Sequence, residues 1–343
     1  MAISTSPMRP PPSLARQAAS SFDSKPPGAV HVTHARSGLS SLATASDGAS
    51  AQEALEWLAV MVRNPRITLA DLPQRPSAAA WRAVGVASFR AASDDALLSR
   101  RADVALDALE RLGALDVWLP EVASLVGFGF GDVQHKDVWR HTKIVVRQAV
   151  PRLAVRWGAL FHDVGKPRTR SIDTRGKVHF HGHAEVGAAM FRKRIANRLG
   201  FAGELGARID FLIYQHQRIS HYDGSWTDNA VRRFYRDVDG GLDDLLALSR
   251  ADITTKHRDK RRRALYQIAE LAKRIRALRA EDARPKALPK GLGLVLSDAL
   301  GIPPSRALGI AMKRLQSAVD TGELAAGAEA SVYVEWLRAH PQA

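Results

Sequence analysis

The chain has 343 residues, of which 45% are hydrophobic, and it carries a formal net charge of +15. It contains no cysteine, so disulfides and thiolate metal sites are excluded and any bound metal must be held by His, Asp or Glu. No stretch approaches the roughly 20 apolar residues of a membrane-spanning helix, and we expect a cytoplasmic protein with no membrane partner. The positive charge favours a polyanionic substrate or partner but says nothing about the fold.

Residues 1–50 differ in composition from the rest of the chain. They are rich in Ser, Ala and Pro and show no apolar periodicity, which predicts a disordered tail. An Arg- and Ser-rich, acid-poor N-terminus is also found in organelle transit peptides, and this remains the less favoured alternative. The segment lacks the apolar core of a secretory signal.

From residue 51 onward the pattern is helical almost throughout, which predicts an all-α fold. Apolar residues recur at helical spacing over Leu55–Val62 and again over Val104–Leu115, and the second segment ends before Pro120. We assign residues 51–130 to a helical N-terminal region.

Residues 131–282 are predicted to contain six further helices. These helices cover residues 135–150, Leu153–Val164, His183–Gly200, Leu205–Arg218, 228–235 and Leu242 to about Arg279. Pro151 separates the first two, and Gly165-Lys166-Pro167 ends the second. The one strand candidate is Lys177–His181. Residues 283–343 are predicted to form a C-terminal region with two short helices that end at Trp336.

Six potential metal ligands lie on these predicted helices or at their ends: His141, His162, Asp163, His183, His216 and Asp252. The nitrogen and oxygen donors suit Mg, Mn, Ni, Co, Fe or Zn, and donor type alone does not choose among them. A bound divalent metal would activate a water and neutralise phosphate oxygens. Lys166 would hold a phosphate as a point charge, so we predict Asp163 and Lys166 as the catalytic residues.

The simpler interpretation of a single histidine on an apolar helix is a hydrogen-bonded core residue. The carboxylates argue against it here. Asp163 follows the apolar run Trp157–Phe161, and Asp252 follows Leu245 and Leu248 on one helix face, where an unpaired carboxylate is costly to bury. Two carboxylates in apolar surroundings, together with the four histidines of the same set, therefore indicate a bound cation.

Four motifs resemble the HD superfamily of metal-dependent phosphohydrolases. They are HT at His141–Thr142, LFHDVGK at Leu160–Lys166, HGHAEVGA at His181–Ala188 and RAD at Arg250–Asp252. The resemblance implies an HD-domain helical bundle over residues 131–282. It also implies one metal held by His141, His162, Asp163 and Asp252. By the same resemblance, His183 and His216 would hold a second ion or contact the phosphate.

A longer region, from about Asp94 to Trp336, resembles the C-terminal part of bacterial tRNA nucleotidyltransferases, the CCA-adding enzymes. The resemblance includes ALFHDVGKPRTR at Ala159–Arg170 and DGSWTDNAVRRFYRD at Asp223–Asp237. Those enzymes need an N-terminal head with a Gly-rich turn and an Asp-x-Asp motif, and residues 1–93 contain no such motif. We therefore expect no nucleotide addition by this chain alone. A head encoded separately, or lost through a wrong start site, is an open alternative.

Residues 256–279 hold ten Lys or Arg against two acidic residues. This is either a solvated helix face or a nucleic-acid footprint, and the repulsion between like charges favours the second. The predicted nucleic-acid-binding residues are Lys256, Arg258, Lys260, Arg261, Arg262 and Arg263. No aromatic RNA-recognition signature accompanies them.

Together these features predict an HD-type phosphohydrolase. Its substrate would be a phosphomonoester or phosphodiester, such as a nucleotide, a 2′,3′-cyclic phosphate or an RNA end. The alternative is a headless relative of the tRNA enzyme that binds tRNA, another RNA or a partner subunit without hydrolysis. The sequence does not indicate the oligomeric state.

Overall fold

The computed structural model describes residues 50–129, 137–283 and 288–341. In these ranges the fold is all-α, as predicted, apart from a small hairpin in which β1 (Ser171–Ile172) pairs antiparallel with β2 (Val178–His179). None of the helices described has the length and apolarity to cross a membrane. The predicted disordered tail lies outside the described residues except for Ser50, and so does the domain boundary predicted near residue 130.

Six helices make up the N-terminal region. They are α1 (Ala51–Arg63), α2 (Ala78–Ala83), α3 (Val86–Leu98), α4 (Ala102–Arg111), α5 (Ala114–Trp118) and α6 (Pro120–Ala123). The Ser50 side chain caps α1 by accepting a hydrogen bond from the Glu53 amide. The single helix predicted over Val104–Leu115 is wrong, because Gly113 adopts a left-handed conformation (φ 77°) that separates α4 from α5.

Eight helices follow between residues 138 and 251. They are α7 (Val138–Gln148), α8 (Leu153–Phe161), α9 (Lys166–Thr169), α10 (His183–Met190), α11 (Ala196–Leu199), α12 (Gly203–Gln215), α13 (Asp228–Asp237) and α14 (Leu242–Ala251). A π-helical turn, Phe191–Ile195, joins α10 to α11. Helix α8 is central, since α3, α7, α12 and α14 all pack on it and every residue from Val155 to Phe161 is buried.

The long helix predicted from Leu242 to about Arg279 is two helices. Helix α14 ends at Ala251, and α15 (Arg258–Asp282) begins after a six-residue connection. The connection is fixed by contacts with α7, since both Asp252 and Thr254 lie against His141. These tertiary contacts override a sequence pattern that is helical on both sides of the break.

The C-terminal region contains three helices rather than the two predicted. They are α16 (Leu292–Leu300), α17 (Arg306–Asp320) and α18 (Ala330–Ala339). Their own apolar core centres on Leu296, Leu315 and Tyr333, each fully buried. The left-handed Gly301 ends α16.

The turn after α8 approaches α10 too closely for any side chain at Gly165. A Cβ atom built there would lie 2.1 Å from the His183 carbonyl oxygen and 2.8 Å from the Gly187 amide nitrogen, and both are backbone atoms that cannot move independently. This close approach holds the segment after His162-Asp163 against the first turn of α10.

We expect Gly165→Ala to lower the free energy of unfolding by about 1–3 kcal/mol, because α10 must shift to make room for the methyl group. Urea denaturation followed by circular dichroism measures the change. The matched control is Gly309→Ala on α17, where an added Cβ meets nothing within 4 Å. There alanine should raise stability by about 0.5–1 kcal/mol. Equal stability of the Gly165→Ala variant and the unmodified chain would contradict the packing argument.

Candidate metal centre

The structure brings all six predicted ligands together in two neighbouring groups. We call His141, His162 and Asp252 the outer triad, and Asp163, His183 and His216 the inner triad. Within each triad the donor atoms lie within 4.8 Å of one another. The inner side chains are at least 95% buried, whereas the side chains of His141 and Asp252 are 25% and 34% exposed. The outer triad is therefore the side that is open to solvent.

Three of these residues are the C-terminal caps of helices. His162 caps α8, His216 caps α12 and Asp252 caps α14. The C-terminal end of a helix carries a partial negative charge from its unsatisfied carbonyl groups and therefore favours a nearby cation. The backbone thus adds to the negative potential that the two carboxylates create.

Backbone carbonyl groups fix the orientation of three imidazole rings. The Nδ1 atoms of His162, His183 and His216 lie 2.7–2.8 Å from the carbonyl oxygen three residues earlier in the chain. A carbonyl oxygen only accepts hydrogen bonds, so each Nδ1 carries the proton and donates it. In the neutral rings Nε2 is then unprotonated and presents a lone pair, which is the form that binds metal.

These lone pairs face one another at short range. The Nε2 atoms of His183 and His216 are 3.2 Å apart, and neither neutral ring has a proton there to share. Nε2 of His162 also lies 3.2 Å from Nε2 of His141, a ring whose tautomer no backbone carbonyl group fixes. Two unprotonated nitrogens repel at this distance unless a cation lies between them. The donor set therefore fits a bound cation better than a hydrogen-bonded core.

The spacing of the donors agrees with coordination. Ligands about 2.1 Å from one ion lie about 3.0–3.4 Å from each other at tetrahedral or octahedral angles. Here His141 Nε2 is 2.9 Å from Asp252 Oδ1, and His162 Nε2 is 3.6 Å from the same oxygen. Asp163 faces both triads, with Oδ2 3.1 Å from His162 Nε2 and Oδ1 3.3 Å from His183 Nε2. The two oxygens of this carboxylate therefore face different triads.

Both carboxylates stay ionised despite their surroundings. Burial raises the pKa of Asp163, but the positive charge and hydrogen bond of His162 outweigh it and hold the pKa well below its usual range. Burial also raises the pKa of Asp252, yet the hydrogen bond from His141 and the charge of His162 bring it to about 2. At neutral pH the site therefore contains two negative charges.

The histidines divide into two kinds. Burial lowers the pKa of His216 to about 4, so its ring is neutral at physiological pH. Burial also lowers the pKa of His162, but the charges of Asp163 and Asp252 overcome this and the net shift is upward. Without a metal, a proton on His162 supplies the positive charge that the carboxylates require.

Lys166 lies at the edge of the site. Lys166 follows Asp163 by three residues, and its Nζ donates a hydrogen bond to Asp163 Oδ2 at 2.6 Å. The Lys166 side chain is 20% exposed. The ammonium group is therefore held beside the proposed ligands and remains reachable from solvent. Its role as a phosphate-binding group stays a prediction.

The predicted nucleic-acid-binding residues are not part of this cluster. They occupy the end of the connection after α14 and the first turns of α15, and all of them are exposed.

The sequence did not indicate Thr254. Its hydroxyl lies 3.0 Å from His141 Nδ1 and so orients the one histidine of the two triads whose Nδ1 has no backbone carbonyl partner. Its position two residues after Asp252 is the signal that could have pointed to it.

Comparison with known proteins agrees with this geometry. Residues 138–255 match the family model of the HD domain. The CC-adding tRNA nucleotidyltransferase of Thermus thermophilus is 41% identical over 163 residues, which cover 46% of this chain and 36% of that protein. The A-adding tRNA nucleotidyltransferase of Deinococcus radiodurans is 34% identical over 242 residues, which cover 68% of this chain and 54% of that protein.

A multifunctional CCA protein of Pasteurella multocida is 32% identical over 111 residues, covering 29% of this chain and 26% of that protein. This chain thus matches between 26% and 54% of the length of these three relatives. The order of the motifs, the helical bundle around α8 and the range matched by the family model all indicate the same kind of domain. Residues 138–255 form an HD domain, as the sequence motifs predicted.

Proposed function

We propose that this chain is a metal-dependent hydrolase of phosphomonoesters or phosphodiesters, with the two triads as its metal centre. The observation that carries the proposal is the shared carboxylate of Asp163, which directs one oxygen to each triad. Dinuclear centres of this kind occur in phosphatases and nucleases, where the two ions lie about 3.5–4 Å apart.

The outer triad and Asp163 Oδ2 would hold one ion, and the inner triad would hold the second through Asp163 Oδ1. Nitrogen and carboxylate donors suit Mg, Mn, Ni, Co, Fe or Zn. The bound metal supplies Lewis-acid chemistry, lowering the pKa of a water and neutralising phosphate oxygens. Hydrolysis forms a bond from the water oxygen to phosphorus and breaks one P–O ester bond, and the leaving oxygen takes up a proton.

The protein supplies the position and charge of the surrounding groups. Lys166 would contact a phosphate oxygen as a point charge while its hydrogen bond to Asp163 keeps it in place. The partial exposure of His141 and Asp252 supports an approach of substrate from their side. Nucleotides, 2′,3′-cyclic phosphates and RNA ends are the candidate substrates, since the relatives act on tRNA by name.

The second candidate function is a binding module, favoured by the exposed cations at the start of α15. In this case the chain would bind tRNA or a partner subunit, and the metal would be structural. Metal-free protein that stays folded, binds tRNA in a salt-sensitive way and hydrolyses nothing with any divalent metal would favour this function.

Two ions are expected per chain after loading with Mn²⁺ or Ni²⁺ and dialysis, measured by plasma mass spectrometry. His216→Ala should lower the content toward one ion, because the inner triad loses one of its three donors. The control is His221→Ala, which removes an exposed histidine five residues later. It should leave two ions. One ion or none in the unmodified chain would contradict the dinuclear assignment.

Asp163→Ala should abolish hydrolysis of p-nitrophenyl and bis-p-nitrophenyl phosphate in the presence of Ni²⁺, Mn²⁺ or Mg²⁺. Loss of a partner behind a ligand already costs 10–100-fold, so loss of the shared ligand should cost about 100-fold or more. Asp163→Asn, which keeps the shape but removes the charge, should show a similar loss. Asp320→Ala on α17 serves as the exposed control. Retained activity in both Asp163 variants would overturn the site assignment.

A further inference from the structure

Tyr266 is the most exposed aromatic side chain in the described part of the chain. It is 68% exposed on α15, whose opposite face buries Ile268, Leu271 and Ile275. Burial of that stripe fixes the rotation of the helix and turns Tyr266 outward. The ring contributes little to the core, so packing does not explain its presence.

Two arginines lie on the same face as this ring. Arg262 and Arg263 precede Tyr266 by four and three residues, which places all three side chains next to one another on the helix surface. With Asp259 they line a shallow groove. Arg262 is paired with Asp259 at 3.1 Å, but both side chains are more than 80% exposed, so this pair is readily exchanged for another anion.

The groove is connected to the metal centre by a short stretch of chain. Thr254 touches His141, and α15 begins four residues later at Arg258. An extended connection followed by a helix rise of 1.5 Å per residue places Tyr266 at most about 26 Å from Thr254. A strand that keeps its bases stacked and so advances about 3.4 Å per nucleotide would cover this distance with about eight nucleotides.

We propose that Tyr266, Arg262 and Arg263 form a platform for single-stranded nucleic acid. A base stacks on the ring of Tyr266, and the two guanidinium groups hold the flanking phosphates. The bound strand continues along the basic start of α15, so that its end reaches the outer triad. Binding to the platform does not depend on the proposed hydrolase function, whereas the delivery of a strand end to the metal centre rests on it.

Charge and ring chemistry select this ligand over other anions. Phosphate contacts from Lys and Arg supply affinity without sequence preference, and every base offers a face for stacking. A base inside a duplex is already stacked on its neighbours and cannot use the ring. The platform therefore distinguishes a single strand from a duplex of the same charge density.

Fluorescence anisotropy with a labelled, unstructured RNA of ten nucleotides tests the platform in the full chain. Chelator prevents hydrolysis during the measurement. Tyr266→Ala should weaken binding about five-fold or more, as expected for the loss of one stacked base. Tyr266→Phe should stay within about two-fold because it retains the ring. Binding of a ten-base-pair RNA duplex should not respond to either variant.

A second comparison tests the two arginines. Arg263→Ala should lower the slope of log K against log salt by about 0.7, the value for one contact to a single strand. Arg276→Ala removes an exposed arginine further along the same helix and should change the slope less. Unchanged affinity in Tyr266→Ala, equal effects of Arg263 and Arg276, or no binding at low salt would each overturn the platform. The absence of RNA binding at low salt would favour a protein partner for this face of α15.

Kinetics separate this inference from the hydrolase proposal. With a ten-nucleotide RNA that ends in a 2′,3′-cyclic phosphate, Tyr266→Ala should raise KM about five-fold or more and leave kcat unchanged. The same variant should hydrolyse a mononucleotide 2′,3′-cyclic phosphate at the unmodified rate. If no variant hydrolyses either substrate, the hydrolase proposal fails while the anisotropy results still decide on the platform. Equal KM for the oligonucleotide in both proteins would overturn delivery of the strand end.

Discussion

Converging lone pairs in a buried space are the constraint on which the structure of this domain depends. Nε2 of His183 and Nε2 of His216 face each other at 3.2 Å, and the ionised carboxylate of Asp163 lies beside them. This arrangement favours positive charge, which a proton on His162 supplies for Asp163 and a bound cation would supply for all three groups. Because the backbone fixes the ring orientations, this demand for positive charge is built into the fold before any ligand binds.

Bringing these donors together requires three helices to end at one place. His162, His216 and Asp252 cap the C-terminal ends of α8, α12 and α14, so these three helix ends lie around the same two triads. The cost of gathering negative helix ends is offset by the cation they favour. The requirement also explains why α14 stops at Ala251 instead of continuing into α15. Asp252 itself keeps a helical conformation, with its amide donating to the Leu248 carbonyl oxygen, and the break lets the following residues bring Thr254 against His141.

The sequence predicted the class of fold and the identity of the clustered residues better than it predicted helix boundaries. Asp163 and Asp252 could be found because a carboxylate in an apolar helical pattern needs a partner wherever the helix lies. The break after Ala251 could not be found, since it depends on contacts with His141 on α7. The packing of helices around α8 and the exposure of Tyr266 could not be predicted from the sequence pattern either. The spacing of apolar residues along a helix shows which residues are apolar but not which of them another helix covers.

Opposite charges are separated by only a few residues at this end of the domain. Asp252 contributes to a site that attracts cations, and from Lys256 onward the chain attracts anions. A phosphate ester meets both requirements, because its charge is drawn by the arginines of α15 at long range and its oxygens can share a cation at short range. Lys166 combines both properties, since its ammonium pairs with Asp163 at 2.6 Å and its side chain is still 20% exposed. On the proposed function, a substrate with more phosphates would gain more from this gradient, and we expect a strand to bind better than a single nucleotide.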